Sequence, residues 1–186
     1  MASIFGEPPI SPEDLFGNLT LSIPIELKRL GPPDSEKKWT IAVNAALCRL
    51  SQERSFDPYC KDQLAGEWLL DMVWLRGQTG IGLVAECEWI MKGRAISDDF
   101  EKLLYFKSPL KLFIFQARRD EQSFDFRQTI QRLMDQFAHH VEGEQYVLFE
   151  VRGQHANGYT YTVPSTGKVP PVAFTEIDGS PRKWEW

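Results

Sequence analysis

Two segments of the chain are apolar with little interruption, and they limit what the rest of the sequence can fold into. They are LKLFIF at residues 110–115 and QYVLFEV at residues 145–151. A strand that does not alternate between apolar and polar residues is typical of one buried on both faces, between layers of helices. These segments therefore predict a central sheet that is covered by helices.

The other elements follow from apolar periodicity and from capping residues. The opening residues 1–34 are rich in proline and predict an irregular arm, and residues 35–186 predict a single domain. Within that domain the pattern predicts, in chain order, a helix at 35–50, a hairpin at 67–89, a helix from Asp98 to about Lys107, a strand at 110–115, a helix at 126–138, a strand at 145–151 and an edge strand or hairpin arm at 158–163. This order predicts an α/β (α+β) fold with a mixed central sheet flanked by helices.

The predicted hairpin at residues 67–89 carries a group of carboxylates. If its strands join through a two-residue turn at 78–79, Asp71 lies directly opposite Glu86. Like charges in that position destabilise a sheet, so a cation between them is expected, and carboxylate oxygens suit Mg²⁺ or Mn²⁺. Glu88 shares the face of Glu86 because side chains alternate along a strand. The hairpin thus predicts an acidic, metal-type cluster.

Charge and composition narrow the functional classes. A net charge of −5 argues against indiscriminate nucleic-acid binding, but residues 92–132 hold nine basic and six acidic groups directly after the acidic cluster. A positive surface beside a metal-type site could hold a polyanion. The chain has no long apolar run or signal-peptide pattern, and its three cysteines lack metal-type spacing. These features predict a cytoplasmic protein with reduced thiols and no membrane association.

The element order and the acidic residues resemble the PD-(D/E)XK, or restriction endonuclease-like, nucleases. In that family a helix precedes a β-meander, an Asp lies on one strand, and an acidic-x-Lys motif lies on the adjacent strand before a helix and a further strand. Asp71 and Glu86 match the acidic positions, whereas Glu88 stands where Lys is usual. The resemblance implies a restriction endonuclease-like core. It also implies a Mg-dependent (or Mn-dependent) endonuclease that hydrolyses phosphodiester bonds, with DNA as its partner. A homodimer is compatible with this resemblance. Glu53, past the first predicted helix, is a further candidate metal ligand.

The resemblance also implies a role for each site residue. Asp71, Glu86 and the main-chain carbonyl of Cys87 are expected to hold the metal, and Glu88 to orient or deprotonate the attacking water. Lys102 is the candidate for a lysine displaced onto the following helix, although its helical phase points away from the core face. The side chains expected along the nucleic acid are Lys107, Lys111, Arg118 and Arg119.

Other interpretations of the same residues stay open. A catalytically inactive nuclease-like domain that binds nucleic acid or protein is compatible with Glu88 in place of Lys. A glycosidase would also use two carboxylates, about 5 Å apart, together with aromatic platforms. However, alternation places Trp68, Trp74 and Trp89 on the opposite face of the hairpin. The plainest alternative is a solvated acidic face without a ligand, and the apolar residues that share this face weaken it.

Overall fold

The computed structural model describes residues 7–60, 69–77, 80–90, 92–165 and 171–184. Its elements in chain order are α1 (Pro12–Leu30), α2 (Glu36–Glu53), β1 (Asp57–Cys60), β2 (Met72–Arg76), β3 (Gly80–Glu88), α3 (Gly93–Tyr105), β4 (Leu110–Gln116), α4 (Asp120–Gln136), β5 (Gln145–Arg152), β6 (His155–Thr162), β7 (Thr175–Glu176) and β8 (Arg182–Lys183). No helix in these described ranges is both long enough and apolar enough to cross a membrane.

The strands form one open, mixed sheet. Their spatial order is β1-β2-β3-β4-β5-β6-β7, and β8 also pairs with β6. Strands β3, β4 and β5 are parallel neighbours, whereas the other pairs are antiparallel. Helices cover both faces, so the predicted mixed α/β sheet flanked by helices is confirmed.

The core consists of two layers, one on each face of the sheet. Helices α1 and α2 pack on one face with Trp74 and Phe149, and helices α3 and α4 pack on the other with Phe113 and Phe115. Strand β4 contributes to both layers and is buried from Leu110 to Phe115. Strand β4 is thus buried on both faces, as its continuous apolar run predicts.

The predicted irregular arm at residues 1–34 is wrong for most of its length, because residues 12–30 form α1. The Ser11 side chain caps this helix by accepting a hydrogen bond from the Asp14 N–H at 3.1 Å, and Pro12 occupies the first turn, where a missing N–H costs nothing. Phe16 packs so closely on β6 that a Cβ at Gly158 would lie 2.6 Å from its ring. Prolines therefore begin this helix and do not prevent it.

The second predicted helix also begins elsewhere. Helix α3 starts at Gly93, five residues before Asp98, because its apolar stripe already includes the buried Ile96. Asp98 and Asp99 consequently lie inside the helix. At the far side of the sheet, β6 forms the predicted hairpin with β5, but it is not an edge strand, since β7 and β8 both pair with it.

The register of the β2–β3 hairpin is as predicted near the carboxylates. Val73 pairs with Val84, and the register extends through Met72 and Ala85 towards Asp71. Closer to the turn, a bulge at Gly82 shifts the pairing by one residue. Gly80 therefore pairs with Arg76 and not, as the predicted turn requires, with Gly77. The predicted start of the hairpin at 67–68 and its turn at 78–79 lie outside the described residues.

Helix α1 offers a matched pair of substitutions that tests its place in the core. Leu19 is 1% exposed and Leu21 is 68% exposed. We expect Leu19→Ala to lower the free energy of unfolding by about 2–5 kcal/mol, because it leaves a cavity against the sheet. Leu21→Ala should change it by less than about 0.5 kcal/mol. Urea denaturation followed by Trp fluorescence measures both, and equal effects would contradict the packing of α1.

Candidate functional site

The three carboxylates expected on one face of the hairpin lie together there. Glu86 and Glu88 are on β3, which directs both side chains towards α3, and they are only 2% and 8% exposed. Asp71 immediately precedes β2, and its Oδ2 accepts a hydrogen bond from the Cys87 N–H at 2.9 Å. This bond holds Asp71 against β3, close enough for its negative charge to act on Glu86.

Helix α3 places a lysine and a fourth carboxylate beside this group. Lys102 Nζ lies 3.6 Å from Glu86 Oε2 and 2.5 Å from Asp99 Oδ1. The predicted poor phase of Lys102 does not keep it from the site, since its long side chain reaches along the edge of the helix. Asp99 was missed, because the sequence pattern placed it at the start of a helix that in fact begins at Gly93.

Glu86 is the most perturbed carboxylate of the cluster. Burial and the charge of Asp71 raise its pKa to about 9, and the positive charge of Lys102 opposes this only in part. Its Oε1 atom is buried and has no hydrogen-bond partner within the described part of the chain. Without a further cation, Glu86 therefore holds a proton at neutral pH.

Asp99 forms hydrogen bonds with both Glu88 and Lys102. Burial and a hydrogen bond with Asp99 raise the pKa of Glu88 to about 7, although the Ile90 N–H also donates to Glu88 Oε1. Burial tends to lower the pKa of Lys102, but the hydrogen bond with Asp99 and the charge of Glu86 together raise it. Lys102 therefore stays charged, whereas Glu88 can exchange a proton near neutral pH.

The donors suit a hard divalent cation. Across the described ranges, no group of three His, Cys, Asp or Glu side chains is placed to hold an ion by itself. A cation here would use Asp71 and Glu86 together with main-chain or water oxygens, which is the kind of set that Mg²⁺ accepts. The buried, unpartnered Oε1 of Glu86 fits this arrangement, because a bound cation would satisfy it.

Two of the predicted nucleic-acid contacts are not at the site. Lys111 is fully buried on β4, 3.1 Å from Glu144 Oε1, so a contact with nucleic acid is wrong for this residue. Lys111 is buried because it lies within the continuous apolar strand. The Glu144 carboxylate balances its charge, and the Tyr146 hydroxyl accepts a hydrogen bond from its Nζ. Lys107 is exposed, but it precedes β4 and donates to the main-chain oxygen of His139 at the amino edge of the sheet, away from Glu86.

Arg118 and Arg119 lie at the same edge of the sheet as the carboxylates. They follow the carboxyl end of β4, which is parallel to β3, and Glu88 pairs in register with Phe115 just before them. Both arginine side chains are exposed. Arg118 and Arg119 are therefore cations that are accessible to a ligand at this edge of the sheet.

The two ends of α2 bear on a further prediction. Glu53 ends α2, next to the turn end of the hairpin, and is exposed there. Glu36 begins this helix and is near enough for its charge to act on Glu88. Glu53 as a metal ligand stays a prediction, and Glu36 is the acidic residue of α2 whose charge acts on the site.

The aromatic side chains of the hairpin do not line the site. Trp74 and Trp89 are buried under α1 and α2, on the opposite face of the sheet, and the Trp89 Nε1–H donates to Thr40. They cannot act as platforms for a sugar beside the carboxylates, which removes the support for a glycosidase. Trp68 lies outside the described residues.

No protein-family model matches this chain, and no curated protein is significantly similar to it in sequence.

The raised pKa of Glu86 makes stability depend on pH in a defined direction. The folded state keeps the Glu86 proton up to about pH 9, whereas the ordinary value is 4.5. Between these values the folded state binds more protons, so the free energy of unfolding should fall as pH rises. We expect Glu86→Gln to weaken this fall and to melt at the same or a higher temperature at pH 8 without divalent ions.

Glu101→Gln is the control for this measurement, since Glu101 is exposed on α3. It should follow the wild-type melting curve across the pH range. A clear loss of stability in Glu86→Gln at pH 8 would show that the Glu86 carboxylate is ionised and stabilising, contrary to this account.

Proposed function

We propose that this protein is a metal-dependent nuclease that hydrolyses phosphodiester bonds, with DNA as its substrate. The observation that carries the proposal is the convergence of Asp71, Glu86 and Lys102 at one edge of the sheet. The surrounding order, α2, the meander β1–β2–β3, α3 and parallel β4, supports a restriction endonuclease-like core. Glu88 stands where the motif lysine is usual, and Lys102 on α3, with its Nζ 3.6 Å from Glu86 Oε2, is our candidate for a motif lysine displaced onto the helix.

The residues of the site suit this chemistry. A divalent ion held by Asp71, Glu86 and the main-chain carbonyl of Cys87 would supply positive charge that polarises the phosphoryl oxygen and lowers the pKa of the attacking water. Lys102 places a permanent positive charge where negative charge develops on the phosphoryl oxygens. Glu88, whose pKa is raised to about 7, can orient the water or accept a proton from it.

Asp99 acts as a positioning residue in this proposal. Its Oδ1 holds Lys102 Nζ at 2.5 Å, while Glu86 Oε2 lies further away at 3.6 Å. The stronger contact with Asp99 leaves the lysine directed at the carboxylates without closing a tight pair on Glu86. Glu86 therefore keeps an oxygen for a cation.

The approach of nucleic acid follows from the surface charges. Arg118 and Arg119 are exposed beside the acidic cluster, so a phosphate backbone that they hold passes close to Lys102. Lys107 and Lys111 contribute nothing to this path.

Cysteines outside disulfides are consistent with a reducing, cytoplasmic location.

Metal binding is the first test. We expect titration calorimetry with Mn²⁺ to show one site in the wild type that is lost in Asp71→Asn, because a neutral amide is a weaker ligand and leaves Glu86 alone. Asp98→Asn, one helix position from Asp99 but exposed, should bind as the wild type does. A wild type that binds no divalent ion at millimolar concentration would contradict the proposed metal site.

Catalysis is the second test. We expect Lys102→Ala to reduce cleavage of DNA in Mg²⁺ or Mn²⁺ by about 100-fold or more, because the lysine charge acts on the transition state. Its affinity for DNA should change by less than about threefold, since Lys102 is one phosphate contact among several. Single-turnover cleavage and fluorescence anisotropy separate the two effects.

The arginines provide the opposite variants. Arg118→Ala and Arg119→Ala should weaken DNA binding in a salt-dependent manner and leave turnover at saturating DNA unchanged. Lys107→Ala should change neither quantity. A wild type that binds Mn²⁺ and DNA but cleaves neither DNA nor RNA would favour the alternative of a nuclease-like binding module.

A further inference from the structure

Two cysteine side chains meet outside the candidate site. Cys48 lies on α2 and Cys60 is the last residue of β1, and their Sγ atoms are 3.8 Å apart. Cys48 is partly exposed, whereas Cys60 is buried. Among the described residues, which include all three cysteines, none forms a disulfide.

We propose that Cys48 and Cys60 form a modification site, a dithiol that an oxidant of the peroxide class converts to an intramolecular disulfide. This inference is independent of the proposed nuclease activity. A disulfide needs the two sulfurs to approach to about 2 Å, so a contact of 3.8 Å leaves a displacement of less than 2 Å to be shared between the two side chains.

The exposure of the two thiols sets the order of the steps. Cys48 meets the oxidant first, and its thiolate takes one oxygen from hydrogen peroxide to give a sulfenic acid and hydroxide. The Cys60 sulfur then attacks the Cys48 sulfur, which forms the S–S bond and releases the oxygen as water. Two thiols and one peroxide thus yield one disulfide and two waters, and a dithiol reductant reverses the change.

Burial makes the first step slow but leaves the second efficient. Burial, together with the nearby Cys60, raises the pKa of Cys48 to about 12, so the reactive thiolate is scarce at neutral pH. Once Cys48 is oxidised, Cys60 is already in contact, and this proximity favours the disulfide over further oxidation by solvent peroxide. The modification should therefore form more quickly as pH rises.

The disulfide would fasten the edge of the sheet. Strand β1 is the terminal strand and pairs only with β2 among the described strands. Cys60 pairs in register with Met72, which follows Asp71 in the chain. A bond from Cys60 to α2 would join this end of β1 covalently to the helix that covers it, next to the strand that begins after Asp71.

Peptide mapping tests the proposal on the full chain. After exposure to hydrogen peroxide at pH 8 and alkylation of the remaining thiols, trypsin should release residues 39–49 joined to residues 55–61, because Arg49 and Arg54 separate the two cysteines. The joined species should weigh two hydrogen atoms less than the two peptides together and should separate on reduction. The protein should remain monomeric on non-reducing electrophoresis.

Three variants make the test specific. Cys48→Ser and Cys60→Ser should each abolish the joined peptides, whereas Cys87→Ser should form them as the wild type does. Accumulation of sulfinic acid at Cys48 in the wild type without joined peptides would overturn the proposal. A cross-link that forms between molecules, or one that involves Cys87, would do so as well.

Discussion

The fold depends on a central strand that has no solvent-facing side. Strand β4 is buried from Leu110 to Phe115, so each of its faces requires a helical layer. Helices α3 and α4 supply one layer, and α2 with α1 supplies the other. Helix α1 is therefore part of the core and not an appendage. The parallel pairing of β3 with β4 also requires a crossover, which α3 provides.

The candidate site follows from this crossover. Where β3 ends, the chain turns back over the sheet as α3, which brings Asp99 and Lys102 beside Glu86. Glu86 comes from the strand, and Asp99 with Lys102 comes from the helix. A buried carboxylate with one lysine for its charge is costly unless it is protonated or shares a further cation. The geometry thus combines an acidic pair with the ammonium group of Lys102 beside it.

Sequence reasoning succeeded where short-range periodicity determines the structure. The pairing near Asp71 and Glu86 follows from alternation along two strands, and the mixed sheet follows from the order of elements. It failed where tertiary packing overrides local signals. Proline content suggested an arm where apolar residues spaced for the core form α1, and a capping-box pattern at Asp98 concealed an earlier helix start. Lys111 was misassigned because nothing local reveals that Glu144, distant in sequence, is its partner.

The bulge at Gly82 separates the two ends of the hairpin. Gly82 lies against the Phe56 ring, where a Cβ would come within 2.3 Å, and the extra residue absorbs a one-residue offset between the turn and the acidic end. Without the bulge, the register on the turn side would extend along the whole hairpin, and Asp71 would lie opposite Ala85 instead of Glu86. Asp71 and Glu86 would then point to different faces of the sheet. The bulge therefore lets the pairing beside the turn differ by one residue from the pairing that aligns Asp71 with Glu86.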